Sequence, residues 1–174
     1  MNPEWRRICG LHSQDDGLVA AVWMAHDKST DAIHLYDCAK FANGEVLAVI
    51  GEGINARGRW IPVAWHEKSK ELANKLLDRG CRMLPESVKD DSGMAEIVSR
   101  DVLERMRTGR FKVDKRLAEW LDEYKSFFRE GGKVPLSSHP LMSATRHAVA
   151  QLESARRQQA KGRKQTNYAK VAMI

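Results

Sequence analysis

Four cations crowd one short stretch of this chain, where Arg105, Arg107, Arg110 and Lys112 flank Gly109 in the run RMRTGRFKV. Guanidinium and ammonium groups at this density suit contact with DNA phosphates, and they suit a solvated turn equally well. A second basic cluster closes the sequence. Arg156, Arg157, Lys161, Arg163, Lys164 and Lys170 fall between Arg156 and Ile174 with no acid among them, so this segment holds the whole formal charge of +6 and the remaining chain is balanced. Clustered cations gain affinity for nucleic acid by releasing condensed counterions, which makes the segment a candidate phosphate-binding arm; a solvated terminus is the alternative. The five tryptophans, Trp5, Trp23, Trp60, Trp65 and Trp120, could stack bases, but their strand and helix-face positions favour core or interface packing. Cys9, Cys38 and Cys81 are odd in number and form no C-x-x-C pair, which points away from a disulfide framework or a structural zinc site.

The elements that must position these groups follow from hydrophobic periodicity. Apolar runs around Arg7 to Leu11 and from Leu18 to Ala25 predict two buried strands joined by the turn Ser13 to Gly17. Asp31 to Ala39 reads as a third, with Ile33, Leu35 and Cys38 to one side and His34 and Tyr36 to the other. A short helix over Glu45 to Ala56, a buried strand over Trp60 to Trp65, a helix over Lys68 to Arg79 ending at Gly80, and a strand over Cys81 to Leu84 come next. A helix from Met94 to Thr108 places Ile97, Asp101 and Glu104 on related faces, and Phe111 to Val113 is extended. Leu117, Trp120, Leu121, Tyr124 and Phe128 recur at helical intervals before Gly131 and Gly132. Pro140 suits the first turn of a last helix that runs past Arg146 into the basic tail. Strands alternating with helices imply an α/β layer fold with a mixed sheet. At 174 residues the chain fits one domain, placed at residues 5–151, with 152–174 as a basic helical extension. No apolar run approaches the length of a membrane span, and the first residues lack a signal-peptide core, so a cytoplasmic location is the expectation.

Three blocks, RGRWIPVAWHE at Arg57 to Glu67, RMRTGRFKV at Arg105 to Val113 and LMSATRHA at Leu141 to Ala148, together with the opening RICGLHSQDDGLVAAVW at Arg7 to Trp23, resemble the nuclease domain of tailed-phage large terminases. These proteins cut concatemeric DNA during packaging, and the resemblance spans Trp5 to Gln151. It implies a ribonuclease-H-like fold, a mixed central β-sheet flanked by helices. It also implies carboxylates at neighbouring strand ends and on a nearby helix, holding two Mg²⁺ or Mn²⁺ ions that bridge the scissile phosphate.

Carried over position by position, the family's acids fall on His12, on Glu67 or Lys68, and on His139 with Pro140. Only Glu67 keeps a carboxylate; Asp16, Asp15, Asp37 and Glu96 are the substitutes within reach of the pattern. Imidazole is a poor ligand for Mg²⁺ and proline is none, so the expectation is loss of two-metal hydrolysis and no cofactor as the chain stands. His12, His66 and His139, with Glu67, would hold Zn²⁺ if their side chains converge, whereas drift of a once-acidic cleft is the preferred reading. Arg146 is expected to pair with an internal acid. No G-x-x-x-x-G-K-[ST] loop occurs, so the motor's ATPase half is not encoded in these residues, as expected of a separately encoded or truncated nuclease domain. The functions to weigh are a noncatalytic homologue acting on double-stranded DNA or packaging components, an active metal-dependent endonuclease with a rearranged site, and an interaction domain engaging the portal or small terminase subunit.

Overall fold

A computed structural model of the protein describes residues 2–42, 44–89 and 91–159. The sheet begins as a meander in which β1 (Arg6–Ser13) pairs antiparallel with β2 (Val19–Asp27), and β2 with β3 (Ala32–Phe41). Parallel strands then extend both edges: β4 (Pro62–Ala64) beside β1, β5 (Arg82–Met83) beside β4, and β6 (Phe111–Val113) beside β3. The resulting order is β5-β4-β1-β2-β3-β6, a mixed α/β sheet of the ribonuclease-H-like kind.

Helices cover both faces. α1 (Leu47–Asn55) and α2 (Lys70–Asp78) close one side, where Ile50, Ile54, Ala73 and Leu76 pack on Cys9, Leu11, Trp23 and Val63. α3 (Ser92–Arg107), α4 (Ala118–Ser126) and α5 (Pro140–Ala150) close the other over Ile8, Val22, Met24 and Leu35. Alternate residues of β1 and β2 face opposite ways, so the period-2 pattern of the opening segment feeds two separate cores. In β3 a bulge interrupts the register, because Trp23 pairs with Asp37 while Met24 pairs with Leu35. That extra residue, Tyr36, reverses the alternation and turns Cys38 to the side of Ile33 and Leu35, as the sequence suggested.

α5 lies between the sheet and the other two helices of its layer, and every residue from Pro140 to Val149 is buried. It can approach β1 so closely because position 10 is glycine: a Cβ there would stand 2.0 Å from the Ala144 carbonyl oxygen. Ile97, Asp101 and Glu104 share the exposed side of α3, as their spacing suggested, while Ala95, Val98 and Val102 make its buried stripe. Two expectations need correction. Phe128 lies beyond the end of α4 and is 70% exposed. The last helix does not run into the basic tail. α5 stops at Ala150, a 3-10 turn spans Leu152–Ser154, and Arg156 pairs with Arg7 of β1 through two backbone hydrogen bonds of 2.7 and 3.0 Å. Leu152 and Ala155 belong to the core, so the folded body passes the expected boundary at residue 151. Lys161, Arg163, Lys164 and Lys170 lie outside the described residues.

Candidate functional site

Where β1 and β4 end side by side, the sheet opens into a cleft of about 530 Å³. Its floor is histidine. His12, the penultimate residue of β1, and His66, two residues beyond β4, project toward α5 for the same reason that Ala64 does, the parity of their strands. His147 comes up from α5 to meet them. The three rings pack against one another, with centroids 4.9 Å apart for His12 and His66, 5.4 Å for His12 and His147, and 4.8 Å for His66 and His147. All three are buried. Nδ1 of His147 lies 2.8 Å from the Leu11 carbonyl oxygen; since a carbonyl only accepts, this nitrogen carries the proton.

The mouth of the cleft has a different chemistry. Asp15, Asp16, Glu67 and Asp91 stand there with Lys68 and Lys89, all exposed. Asp16 accepts from the Leu18 backbone N–H within the β1–β2 turn, and Asp91 caps α3 by accepting from the Met94 N–H at 2.8 Å. Gln14 donates to the Ser137 carbonyl, and the Ser13 and Ser69 hydroxyls share a 2.7 Å hydrogen bond, so both sides of the cleft are tied together. Carboxylates at the mouth above imidazoles at the floor reverse what hard divalent cations need, namely several oxygen ligands converging on one point. Among the described residues, no group of three His, Cys, Asp or Glu side chains could hold a metal ion. The described residues therefore do not fit a two-metal centre.

Of the positions singled out from sequence, His12, His66, Glu67, Asp15 and Asp16 share the cleft. His139 does not. It is the N-cap of α5, and its ring packs edge-on against Phe127 at 5.3 Å while bonding Ser138. The preceding loop instead brings Leu136 and Ser137 to the cleft wall. Asp37 is bound to Arg57 at 2.7 Å, beside the other core. Glu96 receives two hydrogen bonds from Arg129 and one from the Val134 N–H, and the Arg129 guanidinium holds its carboxyl below the ordinary value. Arg146 donates to the Leu136 carbonyl and to Ser143 Oγ.

The residues missed were His147 and the pair Lys40 and Glu123. His147 stands four residues after Ser143 on a helix buried all round, a spacing that marks one face but not its depth. Lys40 pairs across the sheet with Ala20, which pairs with His12, so it belongs to the same end of the sheet. It meets Glu123 at 2.6 Å, and Glu123 also accepts from the Leu141 and Met142 N–H groups at the start of α5, where a helix terminus favours negative charge. The carboxylate nearest that helix start thus comes from α4, a long-range contact without a local signal.

The described cations among those expected to contact DNA lie at the other end of the sheet, seven residues along β3 and so roughly 20 Å away. Four of these six have acidic partners there. Arg105 and Arg110 both bind Asp31, at 3.0 and 2.9 Å, Arg107 meets Glu104 at 3.4 Å, and Arg157 meets Glu4 at 2.8 Å. Lys112 is exposed on β6. Asp31 holds this knot from a left-handed conformation, φ 53°, and also bonds the buried His26. Burial raises its carboxyl, hydrogen bonds from His26 and Arg105 lower it, and the balance is downward.

Solved structures share this architecture. The nuclease domain of P22 large terminase superposes with a TM-score of 0.81 at 21% identity, over 90% of this chain and 86% of that one. The fold is that of a large-terminase nuclease domain. The corresponding domain of the bacteriophage SPP1 large terminase, solved with bound Mn, gives a TM-score of 0.62 at 16% identity, over 86% of each chain. The large terminase nuclease of thermophilic phage G20c, solved with bound zinc, gives 0.57 at 21% identity, over 87% of this chain and 83% of that one. No family model matches the sequence, and no curated protein does. Among the described residues, no helix is long and apolar enough to cross a membrane.

Proposed function

We propose that this chain is a noncatalytic homologue of the DNA-packaging nuclease domain that acts as a binding module on double-stranded DNA. The observation that carries the reading is the cleft floor, where His12, His66 and His147 pack ring on ring at the strand ends that the terminase resemblance assigns to metal-binding acids. The SPP1 domain was solved with bound Mn, and the G20c domain with bound Zn, Co and Mg. Among the described residues, the carboxylates of this cleft stand at its mouth, where Asp16 and Asp91 are already engaged in turn and cap hydrogen bonds. The mouth's four carboxylates against two lysines would repel a scissile phosphate. DNA affinity on this reading comes from the basic segment that begins at Arg156, which holds the chain's net charge.

Supercoiled plasmid incubated with the protein in Mg²⁺, Mn²⁺ or Zn²⁺ tests this. The expected result is intact plasmid throughout, a melting temperature that Mg²⁺ leaves unchanged, and salt-sensitive binding to a duplex. A second reading, a metal-dependent endonuclease with a rearranged site, draws on Asp15, Asp16, Glu67 and Asp91 at the mouth. Nicking in Mn²⁺ that disappears in Asp16→Asn or Glu67→Gln would establish it in place of the first.

A further inference from the structure

The sheet face that carries α1 and α2 is covered only in part. Those helices pack on Cys9, Leu11, Trp23 and Val63, while toward the end away from the histidine cleft the same face holds Trp5, Arg7 and His34, all half-buried. Strand parity sets them on one side: Arg7 stands two residues before Cys9, and the neighbours of His34, Ile33 and Leu35, pack into the other core. The register then makes a row across four strands. Arg7 pairs with Ala25, Ala25 with His34 and His34 with Lys112, a span of three strand spacings or about 14 Å. Ala25 is small and fully buried, so Trp5 can reach over β2 and stack on His34, with centroids 4.1 Å apart and planes 20° from parallel. The Arg7 guanidinium carbon lies 5.7 and 5.5 Å from the ring centroids of Tyr36 and Trp60, cation–π contacts that aim it. Among the described residues, no carboxylate forms an ion pair with Arg7 or Lys112. Of the nearby acids, Glu4 is bound by Arg157 at 2.8 Å, Asp37 by Arg57 at 2.7 Å, and Asp27 accepts from Ser29 and Thr30 in its own turn. Lys112 outweighs Asp27 at the row's centre: burial lowers the His34 imidazole, Lys112 lowers it further, and Asp27 opposes them with a smaller effect. Arg156 lies beside Arg7 through two backbone hydrogen bonds, so the acid-free basic segment begins at the edge of this row.

We propose that this row is a binding site for single-stranded nucleic acid, in which an unpaired base stacks on the Trp5–His34 pair and the flanking phosphates meet Arg7 and Lys112. Sheet surfaces that set aromatic rings among cations hold unpaired bases in this way, since every base has a π-face and stacking is tolerant of sequence. In a duplex those faces are covered by the neighbouring base pairs. The row therefore distinguishes single from double strands, which the basic segment, attracting phosphates alone, does not. The inference goes beyond the duplex-binding reading and does not rest on it, and it needs neither the histidine cleft nor a metal ion.

The test is fluorescence anisotropy of the intact chain with labelled oligo-dT, with an abasic strand of the same length and with a duplex. Oligo-dT should bind more tightly than the abasic strand, which carries the same phosphates without bases. Trp5→Ala should lower oligo-dT affinity at least about fivefold, the lower end of what one stacked base contributes, and leave the abasic strand and the duplex unaffected; Trp5→Phe should keep most of the affinity. Lys112→Glu should weaken oligo-dT and the abasic strand alike and reduce the salt slope by at least about 0.7. Equal affinity of the unaltered protein for oligo-dT and the abasic strand would overturn the proposal, whatever the variants do to folding. So would an equal loss of duplex binding in Trp5→Ala, which would make the row a general phosphate surface, or self-association lost in that variant, which would make it an interface between copies. Oligo-dT binding that depends on Trp5 in the absence of any duplex binding would support this site and refute the duplex reading alone.

Discussion

Replacing Gly10 by alanine should be among the most damaging single-methyl changes in the molecule. The new Cβ would lie 2.0 Å from the Ala144 carbonyl oxygen, 3.0 Å from its carbon and 2.9 Å from the Ala148 Cβ. A carbon and a carbonyl oxygen normally approach no nearer than about 3.3 Å, so α5 must retreat from β1 by roughly 1 Å. The clashing atom is helix backbone, which has no rotamer to escape into, and the cost belongs at the upper end of overpacking, about 3 kcal/mol. For a domain of this size that corresponds to about 6–12 °C in Tm. Gly53→Ala is the internal control. Its Cβ would come 2.8 Å from Phe41 Cε1, the far end of a side chain that can turn aside, and the change should leave Tm nearly unaltered. Thermal melting by circular dichroism reads both. Equal Tm values for parent and Gly10→Ala would refute the close packing of α5 on β1, and with it the position from which His147 reaches Leu11.

Four further outcomes follow from the same geometry. Deleting residues 160–174 removes Lys161, Arg163, Lys164 and Lys170, and should lower the salt slope of duplex binding by up to about 3.6, at roughly 0.9 per phosphate contact; an unchanged slope would place the DNA surface in the folded body. Thr145→Val leaves the buried Trp120 indole N–H without its 2.9 Å acceptor and should cost about 1–3 kcal/mol by urea unfolding, against little effect from Thr145→Ser. Glu96 has a carboxyl lowered from its ordinary 4.5 by Arg129, so its contribution is present above that value and lost as pH falls through the lower folded one; Glu96→Gln should reduce Tm at pH 7 and converge with the parent near pH 3. Burial raises the thiols of Cys9, Cys38 and Cys81, that of Cys38 to about 11, so the native protein should react with a thiol-specific disulfide reagent at pH 8 far more slowly than the unfolded chain.

Much of the fold was legible because its signals are local. The alternation in β1 and β2, the turn at Ser13 to Gly17, Pro140 at a helix start and the glycines after α2 and α3 each act within a few residues. β6 at Phe111–Val113 was found residue for residue, since Gly109 ends the preceding helix and the next strand is short. The end of α5 was not legible. Gln151 onward has helix-forming composition, but Arg156 gains two backbone hydrogen bonds by leaving the helix and lying beside Arg7, a contact across 149 residues that composition does not encode. Phe128 was misplaced for a related reason: its spacing from Tyr124 continues the helical pattern, but α4 ends at Ser126 and leaves it exposed.

The cleft divides along the same line. His12 and His66 were singled out because they fall at or beside the positions that the terminase resemblance assigns to acids, and strand parity is what turns both toward α5. Glu67 shares the cleft with them and His139 does not, and helix geometry explains the difference. A residue just before α5 can turn either toward the sheet or away from it, and the ring of Phe127 draws His139 away, whereas a residue two turns inside α5 has no such freedom. His147 therefore takes the third place on the floor, held by Leu11 of the strand that Gly10 lets the helix touch. Scaffold and site are separable on this view. Gly10, α5 and the strand ends bring three side chains to one point whatever their chemistry, and in this chain those side chains are imidazoles that pack ring on ring.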